Sequence, residues 1–369
     1  MRILVCGNSG FIGMHLVEGL ASAGHSVVGL DLVEPQHRGG LERFALGDIQ
    51  SRDDLLSVLD GVECVINLAA KHHDFGISEA EFFQTNEGGS RNILDCMGER
   101  CIRRYVFFSS VAVYGESDEA LDEEACPRPR TPYGASKLAA EEVARNWASV
   151  DPGRSVVILR PCLVFGERNT ANMFSLIHAI DKGLFVRFGR GQARKSMCYV
   201  RNVVDATLWC LSRMTPGVEL FNYVDKEDLT VRECVSIIAD ALGRRPPRVG
   251  MPLWLGIGVG RLFDLFGALL GKNLRISAAR VKKLATSSRF EASRIKGCGF
   301  TPRYSIEDGL RNMVAWYLER GRAQASLEYR TRDARRDLAS REAESREHKI
   351  VSMPAKKTTV RDRGYQHVQ

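Results

Sequence analysis

Ile3-Leu4-Val5-Cys6-Gly7-Asn8-Ser9-Gly10-Phe11-Ile12-Gly13 is the stretch whose reading decides the fold. A short apolar strand runs into a Gly-x-x-Gly-x-x-Gly turn, and a helical pattern continues through His15 to Ala23. Glycine at Gly7 permits the tight turn, Gly10 lets the backbone approach a pyrophosphate, and Gly13 allows close packing of helix on strand. The first amides of the helix, those of Phe11 and Ile12 among them, then present donors and the positive dipole end to phosphate oxygens. A glycine-rich loop alone is a weak signal, but one placed between a strand and a helix marks the first unit of a dinucleotide-binding sheet.

The next elements keep to that plan. A second strand from Ser26 ends in Asp31, at the distance where a carboxylate accepts hydrogen bonds from adenosine ribose hydroxyls and repels a 2′-phosphate, which favours NAD over NADP. His37 and Arg38 just beyond it soften that preference, and a turn aspartate is the plain alternative for Asp31. A third strand, Arg43 to Leu46, leads to Gly47-Asp48-Ile49. Cys64-Val65-Ile66-Asn67-Leu68-Ala69-Ala70 is a continuous apolar run of the kind found in buried parallel strands, and the small residues at its end, Ala69 included, suit a cofactor passing at the sheet crevice. The segment Glu79 to Arg100 reads as one helix carrying Asn86, and a fifth strand, Tyr105 to Phe108, delivers Ser109 and Ser110 where ligands bind in open α/β sheets.

In Tyr133-Gly134-Ala135-Ser136-Lys137 the lysine follows the tyrosine by four positions, so on a helix both lie on one face. Free tyrosine titrates near pKa ~10 and is a poor base at neutral pH unless a cation and a hydrogen-bond donor favour the phenolate. Lys137 and Ser110 are residues able to supply those two effects. Alone, a Tyr and a Lys four apart read equally well as an amphipathic surface pair.

Together, the glycine loop, Ser110 and Tyr133-x-x-x-Lys137 resemble the extended short-chain dehydrogenase/reductase superfamily, specifically its NAD-dependent nucleotide-sugar epimerases and dehydratases. The resemblance runs from Met1 to about Trp316, with the motifs in the family's order. It implies a doubly wound Rossmann sheet of about seven strands with a smaller interleaved carboxyl-terminal substrate domain, and an enzyme that transfers hydride through bound NAD. It implies Ser110, Tyr133 and Lys137 as the catalytic residues, Asp48 and Ile49 at the adenine, and Asn86 near the cofactor and Ser110. It also implies a homodimer formed through helices like those after Asn86 and Tyr133. The dehydratase branch is disfavoured, because Ser110-Val111-Ala112-Val113 lacks the acidic residues that branch uses. Leu163 stands where the family usually has an asparagine that touches the sugar or its phosphates. A UDP-sugar 4-epimerase activity is the first reading. The alternatives are a 4-keto nucleotide-sugar reductase, a hydroxysteroid-type dehydrogenase and a non-catalytic NAD-sensing protein.

Composition sets the limits of these readings. A chain of 369 residues, 44% hydrophobic, buries a full core. Ten scattered cysteines without Cys-x-x-Cys pairs read as reduced thiols of a cytoplasmic protein. No metal site is assigned: Lys71-His72-His73-Asp74 lacks a helical His-x-x-x-His spacing. The net charge of +7 is concentrated in residues 272–296, with eight basic residues against Glu291 alone, and in residues 322–369, with twelve basic against seven acidic. The nucleotide-binding half is mildly acidic, so no nucleic-acid partner is expected.

The expected division is a cofactor domain over 1–166, completed by part of 196–225, a mainly substrate-binding domain over 167–320, and a charged, disordered tail over 321–369. Arg194 or Lys195 would pair a substrate diphosphate through short charge-assisted bonds, with Arg280 closing over it from a later segment; a solvated basic loop is the plain alternative. Leu253 to Leu270 is apolar but broken by glycines, Arg261 and Asp264. It reads as a lid in preference to a weak membrane-surface contact over 253–296.

Overall fold

The computed structural model describes residues 1–72, 77–115, 117, 119–246, 250–259, 261 and 286–323. Its compact unit spans Met1–Glu319; a second, Arg320–Gln369, falls almost wholly outside the described residues. A sheet of seven strands organises the first unit: β1 (Arg2–Cys6), β2 (Ser26–Asp31), β3 (Arg43–Leu46), β4 (Cys64–Asn67), β5 (Arg104–Phe108), β6 (Ser155–Pro161) and β10 (Gly217–Tyr223). All pair in parallel, in the order β10-β6-β5-β4-β1-β2-β3. This is the doubly wound arrangement the glycine loop predicted, with the order reversing between β1 and β4.

Helices cover both faces, which is why the central strands read as unbroken apolar runs. Alternate residues of β1 divide between two cores. Ile3 and Val5 pack with Leu16, Val17 and Leu20 of α1 (Phe11–Ser22) and Val203 and Val204 of α7 (Val200–Arg213). Leu4 and Cys6 face the other side, with Leu55 of α2 (Arg52–Val58), Ile93 and Met97 of α4 (Gly89–Glu99) and Ala140 and Trp147 of α5 (Pro132–Val150).

The rest of the unit is built on two small sheets. In one, β9 (Arg194–Tyr199) lies between β7 (Leu163–Phe165) and β11 (Asp225–Thr230). In the other, β8 (Arg187–Phe188) pairs with β12 (Gly250–Met251). Around them stand α6 (Asn172–Asp181), α8 (Val231–Ala241), α9 (Ser293–Gly297) and α10 (Ile306–Trp316). Reciprocal Thr230–Glu233 and Ser305–Asp308 capping boxes start α8 and α10.

The helix expected as one piece over Glu79 to Arg100 is divided. A capping box between Ser78 and Glu81 starts α3 (Glu79–Phe83), a π-turn over Gln84–Gly88 follows, and α4 continues. The widened turn carries Asn86, whose carboxamide accepts the Lys71 amide at 2.8 Å and donates to the Lys71 carbonyl at 3.1 Å. That tie to the loop after β4 is a tertiary contact that the helical pattern does not contain. Among the described residues no helix is long and apolar enough to cross a membrane. Most of the 253–296 segment read as a lid or membrane contact, residues 262–285, lies outside the described residues, and Arg280 with it.

Candidate active site

The glycine loop sits at the carboxyl end of β1, and its shape is what a pyrophosphate cradle requires. Gly7 has φ +84°, and a Cβ there would stand 2.7 Å from the Ala69 amide nitrogen. At Gly13 a Cβ would meet the Gly7 carbonyl oxygen at 2.2 Å. Gly10, the N-cap of α1, has no side-chain cap, so the first amides of the helix have no side chain folded over them. A Cβ at Gly10 would find only the Gly7 carbonyl, at 3.3 Å. We therefore expect Gly13→Ala to destabilise the fold by about 1–3 kcal/mol through overpacking. Gly10→Ala should leave the unfolding midpoint near that of the parent protein while weakening NAD binding. Urea unfolding and calorimetry separate the two, and equal loss of stability in both variants would contradict the assignment.

Asp31 ends β2 against this loop: its carboxylate accepts the Ser9 amide at 2.9 Å and the Val33 amide at 3.2 Å. Ser9 in turn donates its hydroxyl to the Val33 carbonyl at 2.6 Å, fastening the loop to the chain beyond β2. Asp48 accepts the Gln50 amide at 2.9 Å, and Ile49 is buried against Gly89. These residues, with Ala69, frame one side of the crevice between β1 and β4.

The other side is the start of α5. Thr131 caps the helix by accepting the Gly134 amide at 3.1 Å, and Pro132 occupies the first turn, where a missing N–H costs nothing. The helix places Tyr133 and Lys137 on one face, as the spacing predicts. Ser110, at the end of β5, caps a 3-10 turn over Val111–Val113 by accepting the Ala112 amide at 3.2 Å, and its hydroxyl stands close enough to the Tyr133 phenol to favour the ionised form. The edge of the Tyr133 ring meets Phe82 of α3, centroids 6.3 Å apart. Asn86 reaches the same helix, donating to the Ser136 hydroxyl at 2.9 Å, and that hydroxyl donates to the Tyr133 carbonyl at 2.9 Å. Ser110 and Asn86 thus meet the first turn of α5 from β5 and the π-turn, with Lys137 one turn further along that helix.

The electrostatics differ in one respect from the sequence expectation. Burial holds the Tyr133 phenol above its ordinary pKa, and the Ser110 hydroxyl only partly offsets this. Lys137, 1% exposed, is pulled down to about 7 by burial, opposed by the Glu141 carboxylate. Its Nζ lies 4.2 Å from the centroid of the Phe107 ring. Desolvation here outweighs the effect of Ser110 on the phenol, and it acts in the opposite direction on the lysine, disfavouring the charged form of both.

The two basic residues expected at a diphosphate each donate to a backbone carbonyl. Arg194 donates to the Asp228 carbonyl at 2.7 Å, and Lys195 to the Thr286 carbonyl. Leu163 opens β7 and is partly exposed. Sequence reasoning missed Glu141 and Arg160, which form a fully buried ion pair beside the site. For Glu141 a signal was present, since it follows Lys137 by four positions on α5. For Arg160 there was none in the local pattern.

Residues 3–222 match the NAD dependent epimerase/dehydratase family. The chain belongs to that family. It is 36% identical over 310 residues to N-acetyl-alpha-D-glucosaminyl-diphospho-ditrans,octacis-undecaprenol 4-epimerase of Escherichia coli O157:H7, covering 84% of this chain and 93% of that one. To UDP-glucose 4-epimerase of Vibrio cholerae it is 27% identical over 330 residues, covering 86% and 95%. The structure of MoeE5 in complex with UDP-glucuronic acid and NAD superposes with a TM-score of 0.69 at 27% identity, over 86% of this chain and 98% of that one. This family member is accordingly an enzyme, and the family's cofactor is NAD. The cradle fits that group: the uncapped amides of α1, the close approach at Gly7 and the Asp31 carboxylate are the features a dinucleotide needs.

Proposed function

We propose that this family member is a 4-epimerase of a sugar carried on a diphosphate, with Tyr133, Lys137 and Ser110 as its catalytic residues. The observation that carries the reading is Ser110, at the end of β5, close enough to the Tyr133 phenol to favour its ionised form, with Lys137 one helical turn further on along α5. Bound NAD supplies a hydride acceptor and donor in the same cleft. Ionised to the phenolate, Tyr133 takes the proton of the 4-hydroxyl and, as the phenol, returns it; Ser110 holds the same oxygen in line. Lys137 holds the nicotinamide ribose and adds positive charge that favours the phenolate. Gly7, Gly10, Phe11, Ile12 and Gly13 hold the pyrophosphate, with Asp31 at the adenosine ribose, Asp48 and Ile49 at the adenine, and Ala69 and Asn86 along the rest of the cofactor.

A polyprenyl rather than a nucleoside carrier is favoured by a specific feature. Leu253, Trp254 and Leu255 follow β12 in a helical segment over 253–259, with Trp254 72% exposed. The relative from Escherichia coli O157:H7 is named for a sugar diphosphate on undecaprenol. A large exposed tryptophan beside leucines is the surface an isoprenoid chain would cover.

The test offers the purified protein UDP-N-acetylglucosamine and, in detergent micelles, N-acetylglucosaminyl diphosphate on a polyprenol, with no cofactor added. Proton NMR should show the galacto epimer appearing from the polyprenyl substrate, catalysed by nucleotide that co-purifies. Epimerisation of the UDP-sugar alone would assign a nucleoside carrier. Stoichiometric consumption of added NADH against a 4-keto sugar, without epimer formation, would replace the epimerase by a reductase.

A further inference from the structure

Glu141 lies four residues beyond Lys137 on α5, one turn further along the same face, and its side chain is fully buried. Both carboxylate oxygens are engaged from other elements. Arg160 of β6 donates through Nε to Oε1 at 2.8 Å and through Nη2 to Oε2 at 2.5 Å, and the Ser109 hydroxyl donates to Oε1 at 2.5 Å. Arg160 is itself buried and hydrogen-bonds onward through Nη1 to the Tyr114 hydroxyl at 2.7 Å, which donates to Asn222 Oδ1 at 2.8 Å. Lys137, by contrast, has no hydrogen-bonded partner among the described residues, only the face of Phe107.

This asymmetry has a physical reading. A carboxylate one turn from an ammonium in a water-poor interior would ordinarily close on it as a direct ion pair and take up its donors. The planar guanidinium fork, matched to both oxygens, prevents that, and a lysine in place of Arg160 could not. Glu141 therefore remains near Lys137 as a fixed negative charge without claiming its N–H groups.

We propose that Glu141, clamped by Arg160 and Ser109, is a positioning residue for Lys137: it keeps the buried ammonium charged through its field and leaves the ammonium donors for groups in the cleft. The inference rests on the reading of Lys137 as a cleft lysine but needs no knowledge of the substrate. The titratable groups brought toward this face are Tyr133 and Glu141 of α5, Tyr105 of β5, Arg160 of β6 and Tyr114 after the 3-10 turn, with Arg145 of α5, partly exposed, 3.9 Å from Glu141 Oε2 on the solvent side. Of these, Glu141 is the one whose charge raises the pKa of Lys137, against the lowering by burial.

The test is a pH titration of the full chain carrying lysine labelled with carbon-13 at Cε, in which the Lys137 resonance is identified by its loss in Lys137→Arg. Glu141→Gln should move the Lys137 midpoint down by about one to two pH units. Because that variant leaves Arg160 as an unpaired buried cation, Glu141→Gln/Arg160→Met is titrated beside it; with no unpaired charge it should fold, and Lys137 should still titrate below the wild-type midpoint. A Lys137 midpoint unchanged from wild type in either folded variant would make Glu141 a structural partner of Arg160 only, and would overturn the proposal while leaving the epimerase reading intact.

Discussion

Tyr133→Phe is expected to lower turnover by about 10²- to 10⁴-fold, the usual contribution of a positioned proton-transfer group. The substitution removes one oxygen and keeps the ring whose edge meets Phe82. Thr131, Pro132 and Ser136 still define the first turn of α5. NAD affinity measured by calorimetry should therefore stay within about threefold of wild type, because the glycine loop, Asp31 and Lys137 are untouched; the loss should appear in kcat and kcat/KM together. The electrostatics of the cleft make the dependence on this hydroxyl strong. The neighbouring Ser110 hydroxyl, which accepts the Ala112 amide, is a far weaker acid than a phenol and does not replace it. A Tyr133→Phe protein keeping more than a tenth of wild-type turnover would remove Tyr133 from the proton-transfer role.

The largest expected effect on stability is that of Arg160→Ala. It leaves Glu141 buried without its guanidinium fork and the Tyr114 hydroxyl without a donor, and breaking one side of such a pair costs about 3–5 kcal/mol. The control is Arg91→Ala, which removes a solvent-exposed ion pair with Glu87 one turn away and should cost at most about 1 kcal/mol. Urea unfolding of both proteins at pH 7 compares them directly. Equal midpoints would show that the buried pair is no more valuable than a surface one. The double substitution Glu141→Gln/Arg160→Met should recover most of the loss, since it leaves no unpaired charge in the core.

The resemblance to nucleotide-sugar epimerases, legible in the sequence, is matched by the family assignment and by the seven-stranded parallel sheet. The reason lies in which features are local. From Ile3 to Gly13 the apolar strand, the glycine spacing and the helix start are all set within eleven residues, so reading them needs no knowledge of distant contacts. The Tyr133–Lys137 relation is equally local, because the rise and turn of a helix place residues four apart on one face. The same rule would have found Glu141. What it means, however, depends on Arg160 arriving from β6 and Ser109 from the end of β5, and that meeting is fixed by the pairing of β5 with β6.

Other parts were open to tertiary structure alone. The pattern over Glu79 to Arg100 is helical throughout, yet the π-turn at Gln84–Gly88 exists where Asn86 bridges to Lys71, a partner outside the helix. Arg194 and Lys195 show in sequence only as adjacent cations, and it is the fold that brings the Asp228 and Thr286 carbonyls to them. The pKa of Tyr133 also depended on the fold: the Ser110 hydroxyl favours the phenolate, whereas the depth of burial, which outweighs it, is set by the elements packed around α5. Spacing along one helix or strand is dictated by backbone geometry and so can be read from the chain; the burial of a charge, and the partner that compensates it, follow from which strands lie side by side.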